Sequence, residues 1–356
     1  MKKINLIIAV LIVALIGINV SAEICECNSC KDCIEKLSED SCSEIRLNKD
    51  IDIHSQEEGI ISYGTFSCIE SLEFNNKIFD CQGHKIKGNA MFYNDNDKEV
   101  YINKPATIRD GIILFNNFNS TIKNCIFLEF SSGISIAVNT SNNKIVNNTL
   151  YINSYEISIG SFSSNNIIIN NTIYKNREGI EIVRSTNNTL TNNILHSNTN
   201  GIMTYINANF NKIFNNKIYD NTENGIWMSL LGGCFGKGCT HQGSTGNELS
   251  NNEITGNDVG INSESSNFTA NSNFVCGNNK DFELVYSVVG EGNDNVCDNP
   301  NTWNDKGKKG CTHKCNEQKT PDKQTESDYN FILAIAIILI TILLSAFVIW
   351  YKKFKR

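Results

Sequence analysis

Histidine is scarce in this sequence, and the five present, His54, His84, His196, His241 and His313, are scattered. Delivery of a soft metal wants clusters of His or Met, so that role has no support. Helical periodicity is missing from the central part, where apolar residues alternate with polar ones instead. The one glycine-rich segment, Leu231 to Gly243, is followed by neither Lys-Ser nor Lys-Thr nor a helix, which excludes a phosphate loop. Basic charge is also short. Six of the 31 Lys and Arg residues lie at the two ends, which leaves 25 basic against 38 acidic residues, a balance of −13. That balance argues against binding nucleic acid or other polyanions. Calcium or a polycationic partner is compatible with it, and no other cofactor is expected.

What is present is a repeat. Ile112, Ile134, Ile157, Ile180, Ile202, Ile226 and Ile261 open successive units at spacings of 22, 23, 23, 22, 24 and 35. Glycine precedes all of them except Ile157, where Glu156 holds the register. Two further apolar columns keep step. One runs through Ile122, Ile145, Ile168, Leu190, Ile213 and Leu249; the other through Phe127, Leu150, Ile173, Leu195, Ile218 and Ile254. Each unit therefore holds three short strands separated by Asn-rich turns.

Asparagine falls in columns too. The first is Asn143, Asn166, Asn188, Asn211 and Asn247. The second is Asn148, Asn171, Asn193, Asn216 and Asn252, and the third Asn153, Asn176, Asn198, Asn221 and Asn257. An AT-rich genome inflates Asn but cannot fix its phase. Asn tolerates left-handed turns, and its amide can bond the same amide one coil above. A period of this size with several strands per unit is a solenoid. The chain is expected to be all-β, a right-handed parallel β-helix of three short strands per ~22–23-residue coil.

These repeats resemble those of pectate lyases, of carbohydrate-binding and sugar hydrolase β-helix domains, and of the nitrous-oxide-reductase-associated copper-binding β-helix family, over roughly residues 45–300. Ile78-Phe79-Asp80-Cys81-Gln82-Gly83-His84-Lys85-Ile86-Lys87-Gly88 resembles an early coil of secreted archaeal β-helix proteins. Asp80 and His84 are read there as parts of a turn rather than as an acid and a base. Residues 89–110 read as a loop or an atypical coil.

The ends predict how the body is held. Residues 1–22 read as a signal peptide: Lys2 and Lys3, an apolar run, then Val20-Ser21-Ala22. Phe331 to Trp350 are 20 residues without a charge, ~30 Å as a helix and enough to span a bilayer. Lys352, Lys353, Lys355 and Arg356 follow, which places the tail in the cytoplasm and the body outside the cell. The expected plan is a Cys-rich cap at 23–44, the β-helix at 45–300, and a Cys-containing end and polar stalk at 301–328. A membrane helix at 329–351 and a basic tail at 352–356 complete it.

All 14 cysteines lie in the outward body, where disulfides are expected. Cys276 and Cys297 stand 21 apart, close to one period, so stacked strands could bring them together, with Cys311 and Cys315 nearby. A Cys234–Cys239 bridge would stiffen the insertion of the longest unit into a finger. Of six glycosylation sequons, Asn119, Asn139, Asn187 and Asn267 sit nearer turns and are the candidates; Asn147 and Asn170 belong to the repeat consensus.

The related enzymes use the outward face of the first strand in each coil. Here that face reads Ser158, Glu181, Met203, Trp227 and Asn262, with Val183, Tyr205 and Ser229 one step further. Trp227 and Tyr205 offer flat faces for sugars, and Glu181, with Arg177 and Arg184 near it in sequence, forms the one charged cluster. Glu178 shares the strand, but only Glu181 is placed outward. The clustered aspartates of a pectin hydrolase and the several acidic ligands of a calcium-dependent lyase are missing, and no catalytic or metal-binding residue is assigned. The expectation is a membrane-anchored surface β-helix that binds carbohydrate or envelope components through Glu181, Tyr205 and Trp227. A surface polysaccharide lyase or glycoside hydrolase, and a structural stalk or adhesin, are the alternatives.

Overall fold

A computed structural model describes residues 23–53, 60–62, 65–71, 74–89, 91–95, 98–102, 110–230, 243–264, 267–285 and 290–317. The expected signal peptide, the membrane helix with its tail, and the Cys234–Cys239 finger lie outside the described residues. Among the described residues no helix is long and apolar enough to cross a membrane.

Three parallel sheets wind around one apolar core, as a right-handed-type parallel β-solenoid of about nine turns. Sheet A has 11 strands and runs from Glu23–Cys27 to Gly290–Asn293. Sheet B has nine and runs from Ile51–Asp52 to Phe274–Cys276. Sheet C has ten and runs from Ile60–Ser62 to Lys280–Leu284. The registers follow the apolar columns: Ile145 sits opposite Ile168, Leu150 opposite Ile173, and Ile157 opposite Ile180. These residues are fully buried. Only Ile60–Ser62 runs antiparallel within the three sheets, against Thr65–Ser71. Residues 89–110, expected as a loop or atypical coil, include an antiparallel hairpin, Met91–Asp95 with Lys98–Ile102.

The corners are built from a division of labour between neighbouring residues. The residue before each column asparagine takes the left-handed conformation, for example Asn147 (φ 56°), Asn170 (φ 57°) and Asn192 (φ 55°). The next asparagine turns inward. In the middle column Nδ2 of Asn171 donates to Oδ1 of Asn193 at 3.0 Å, the Asn171 backbone N–H donates to the same oxygen at 3.0 Å, and Nδ2 also donates to the Ile145 carbonyl at 2.9 Å. Each buried amide thus uses both its hydrogens and accepts two more. The pattern repeats from Asn148 through Asn252, Asn273 and Asn295, and ends on the Asp305 carboxylate. The third column ends on Asp281. The left-handed role expected of the column asparagines belongs to the residues that precede them.

The glycine before each opening isoleucine has a steric cause. A Cβ on Gly201 would lie 2.5 Å from the Gly225 carbonyl oxygen and 2.7 Å from the Ile218 side chain. Glu156 occupies this column once, fully buried, with both carboxylate oxygens taking the Asn153 Nδ2 at 2.8 and 2.7 Å.

Six disulfides tie the described ends. The helix Cys30–Ser38, capped by Ser29, is held by Cys27–Cys33 and Cys30–Cys68, and Cys25 bonds Cys42. Glu23–Cys27 and Cys42–Leu47 also pair as the first strands of sheet A. Cys81–Cys125 staples two adjacent coils. The expected Cys276–Cys297 proximity does not yield a bond: Cys276 bonds Cys315 and Cys297 bonds Cys311. Phe274 pairs with Val296, so Cys297 falls level with the inward Val275 while Cys276 is one residue further on. That offset turns the two to opposite faces. Trp303 closes this end, stacked on Phe282 and Phe268 with centroids 4.8 and 5.5 Å away.

Asn193→Ala should leave the backbone N–H of Asn171 and one of its two amide hydrogens without an acceptor in a dry interior, at a cost of roughly 2–5 kcal/mol. Asn192→Ala, next door and exposed, should cost only about 1 kcal/mol through its left-handed backbone. Urea melts of both variants test this, and equal losses would remove the amide column as the corner's chief support.

Candidate functional site

Sheet C carries the face that the sequence singled out. Tyr155, Glu178, Asn200, Asn224 and Val259 form one outward column in register. Ser158, Glu181, Met203, Trp227 and Asn262 form the next, with Val183, Tyr205 and Ser229 beyond it. Although they face away from the core, Glu178, Glu181, Asn200, Asn224 and Met203 are all buried. The face is sheltered rather than flat.

Glu181 and Tyr205 are brought together. Tyr205 Oη donates to Glu181 Oε1 at 2.7 Å, and Ser158 Oγ donates to Oε2 at 2.9 Å. Trp227 lies one strand beyond Tyr205 and two beyond Glu181. Its indole Nε1 is buried without a hydrogen-bond partner. Among the described residues the ion pair found for these arginines is to Glu178 rather than to Glu181. Arg177 Nε lies 3.8 Å from Glu178 Oε1, and Arg184 is exposed in a left-handed turn at the strand's end (φ 49°).

Glu178 was not expected on this face. Two inward positions, Gly179 and Ile180, separate it from Glu181, because the chain skips a pairing at the glycine. Both glutamates therefore face outward. Asn200 Nδ2 lies 3.4 Å from Glu178 Oε1, Asn224 Nδ2 donates to Asn200 Oδ1 at 2.8 Å, and Asn262 Nδ2 donates to Asn224 Oδ1 at 3.1 Å. This is a fourth amide column, on the outside. The residue before each glycine, read down the repeat, would have revealed Glu178, Asn200 and Asn224; Asn262 joins them from the neighbouring column. Burial pushes the Glu178 carboxyl up to about 7, against the lowering effect of Arg177 and Asn200 and with help from the charges of Glu181 and Glu223. Burial, then the Glu181 charge, raises the Tyr205 hydroxyl.

A second feature escaped the sequence reading. Tyr151, Tyr174, His196 and Tyr219 stack along the outside of sheet B with centroids 5.1, 5.1 and 4.9 Å apart. They follow the inward Leu150, Ile173, Leu195 and Ile218 by one residue. Asp80 and His84, read as parts of a turn, are engaged in structure. Asp80 accepts from Gln82 N–H and Asn124 Nδ2, each at 2.9 Å, and pairs with Lys123 at 3.2 Å; His84 pairs with Asp50 at 3.1 Å. All six sequon asparagines are exposed. Asn119, Asn139, Asn147, Asn170 and Asn187 share the same left-handed turn geometry, whereas Asn267 opens the strand Asn267–Asn271 rather than sitting at such a turn.

The metal-capable side chains that converge among the described residues are Cys25, Glu39 and Cys42, and the two cysteines are spent in a disulfide. A cleft of about 400 Å³ opens at the far end of sheet A between Glu291 and Lys306. It offers no aromatic face and no buried unpaired acid, so the face of sheet C is the better candidate.

Residues 98–234 match the family described as right handed beta helix region. The fold is similar to the A-module of the Azotobacter vinelandii mannuronan C-5 epimerase AlgE4, at 15% identity and a TM-score of 0.50, over 76% of this chain and 75% of that one. It is also similar to the Dettilon tailspike protein, at 14% identity and a TM-score of 0.52, over 72% and 52%. A mutant tailspike protein of E. coli bacteriophage HK620 is similar at 11% identity and a TM-score of 0.50, over 72% and 48%. The chain thus spans about half the length of the tailspikes. No curated protein matches the sequence. The protein is a parallel β-solenoid, similar in fold to these three structures, with a right handed beta helix region over residues 98–234.

An acid raised in the folded state adds stability that is complete below its unfolded value and is lost as pH rises through the folded one. Glu178 is raised from 4.5 to about 7, and burial raises Glu156 well above 4.5 in the same sense. Asp80 and Asp305, held below 3.8, act in the opposite sense at lower pH. The melting temperature should therefore fall between pH 4.5 and about 7. Replacing Glu156 and Glu178 together by Gln should flatten that slope in calorimetric scans, and a slope that persisted would assign it to other groups.

Proposed function

We propose that this chain is a cell-surface protein, anchored through Phe331 to Trp350, whose outward face on sheet C binds carbohydrate. The observation that carries the reading is the mixture on that face. Trp227 supplies an aromatic surface, and Glu181, Tyr205, Asn200 and Asn224 supply a fixed set of donors and acceptors around it. Sugars are recognised in this way, by stacking their apolar ring faces and hydrogen-bonding their hydroxyls. Strands in a sheet repeat at ~4.8 Å, so the row from Glu181 to Trp227 is about 10 Å long, room for two rings. The stacked coils suit an extended polymer.

A second reading, cleavage of such a polymer, is favoured by one observation. Glu178 is a buried acid able to exchange its proton near neutral pH, and it sits beside a second carboxylate on the same strand. A glycan-array screen with analysis of products separates binding from cleavage. For any glycan that binds, Trp227→Ala should weaken binding by roughly 1–3 kcal/mol while the melting temperature holds. Binding indifferent to both Trp227→Ala and Glu181→Ala would put the site elsewhere.

The anchoring is tested separately. Protease added to intact cells should remove the body from residue 23 onward and leave a small membrane-bound fragment; full protection would rule out an outward body.

A further inference from the structure

Among the described residues, three buried polar atoms on the outer face of sheet C have no hydrogen-bond partner: Glu178 Oε2, Asn262 Oδ1 and Trp227 Nε1. Glu178 is 5% exposed, so its free oxygen is withheld from bulk water. Leaving a buried carboxyl oxygen unpaired costs free energy, and a ligand that brought a donor would recover it. Around it the charge is nearly of one sign. Glu181 lies on the same strand, and the charges of Glu181 and Glu223 both act on Glu178. Among the described residues the cation paired with Glu178 is Arg177, at 3.8 Å from the other carboxyl oxygen and largely exposed at the edge. Glu181 has each oxygen engaged by one hydroxyl, which leaves further lone pairs able to accept.

We infer that the Glu178–Glu181 pair selects glycans carrying a free primary amine, unacetylated hexosamines, and rejects uronate polymers; this rests on the carbohydrate-binding reading of the same face. An ammonium group brings three donors and a positive charge to a site that offers acceptors and negative charge. A neutral hydroxyl can satisfy Glu178 Oε2 but brings no charge. An acetylated nitrogen brings one donor, no charge and a bulky methyl group. A uronate carboxylate would set like charges together where water is largely excluded, which is costly. With the amino sugar at Glu178, the neighbouring rings fall under Trp227 and Asn262, whose Nε1 and Oδ1 take up their hydroxyls. Asn262 lies three strands beyond Glu181, ~14 Å along the axis, which suits a tri- or tetrasaccharide.

The test is titration calorimetry of the purified full chain at neutral pH and low salt. The probes are tetramers of glucosamine, N-acetylglucosamine, glucose and mannuronate, with tetralysine as a non-sugar amine. The glucosamine tetramer should bind about tenfold or more tighter than the glucose tetramer, and the mannuronate tetramer should not bind measurably. Glu178→Gln should bring the glucosamine tetramer down to the level of the glucose tetramer and hold or raise the melting temperature. Should Glu178→Gln fail to fold, Glu181→Gln carries the same expectation for the amine preference. Mannuronate binding as tightly as glucosamine, an amine preference that survives both variants, or tetralysine binding as well as the amino sugar would each overturn the inference. Equal binding of all the sugars, weakened throughout by Trp227→Ala, would defeat it while leaving the carbohydrate-binding reading in place. No binding of any sugar would defeat that reading itself.

Discussion

The structure depends on the stacking of one asparagine amide on the next through the coil corners. A parallel solenoid must turn its backbone sharply three times per coil, and each turn buries polar groups that no strand partner can reach. In the column from Asn148 to Asn295 each amide reaches one coil down for a carbonyl and one coil up for the next amide. Because every asparagine is both donor and acceptor, a coil is satisfied only when its neighbours are present in register. The cooperativity of the stack follows from that. The ends cannot continue the pattern and finish differently. Asp305 takes the last pair of donors in one column and Asp281 takes the last side-chain amide in another, while Trp303 covers the apolar core between them.

The interior leaves little freedom to the inward side chains, so variety is confined to the outward ones. On sheet B these are rings stacked on one another, their faces spent on mutual contact. On sheet C the outward residues differ from coil to coil, and charged, amide and aromatic groups meet there. An ordinary ladder of identical residues would satisfy itself. Glu178 beneath Asn200, and Trp227 beside Met203, leave polar atoms unmatched. Unmatched polar atoms gathered beside the aromatic surface of Trp227 are the physical ground for proposing a ligand at this face.

Much of the architecture could be read from the chain. Ile134, Ile157 and Ile180 announce sheet C by spacing alone, and Ile168 and Leu150 announce sheets A and B. The row Glu181, Met203, Trp227 was also legible, because alternation from an inward isoleucine fixes which neighbour points out. Alternation failed at Glu178. The glycine after it takes an extra inward step, and period-two counting across that step assigns the wrong side. Cysteine pairing failed for a related reason. A separation close to one period places Cys276 and Cys297 in neighbouring coils, but a shift of one residue turns them to opposite faces.

The sequence by itself determined the coil length, the three sheets, the inward columns and the asparagine corners, since each is a local pattern repeated until chance is excluded. Only the tertiary structure decided which oxygens and nitrogens find partners. Glu181 meets Tyr205 and Ser158 from the strands on either side, Glu178 keeps one oxygen unpaired, and Glu156 lies buried against Asn153. The first of these depends on side-chain reach between coils 23 and 24 residues apart, a distance that periodicity can register but cannot resolve to single atoms.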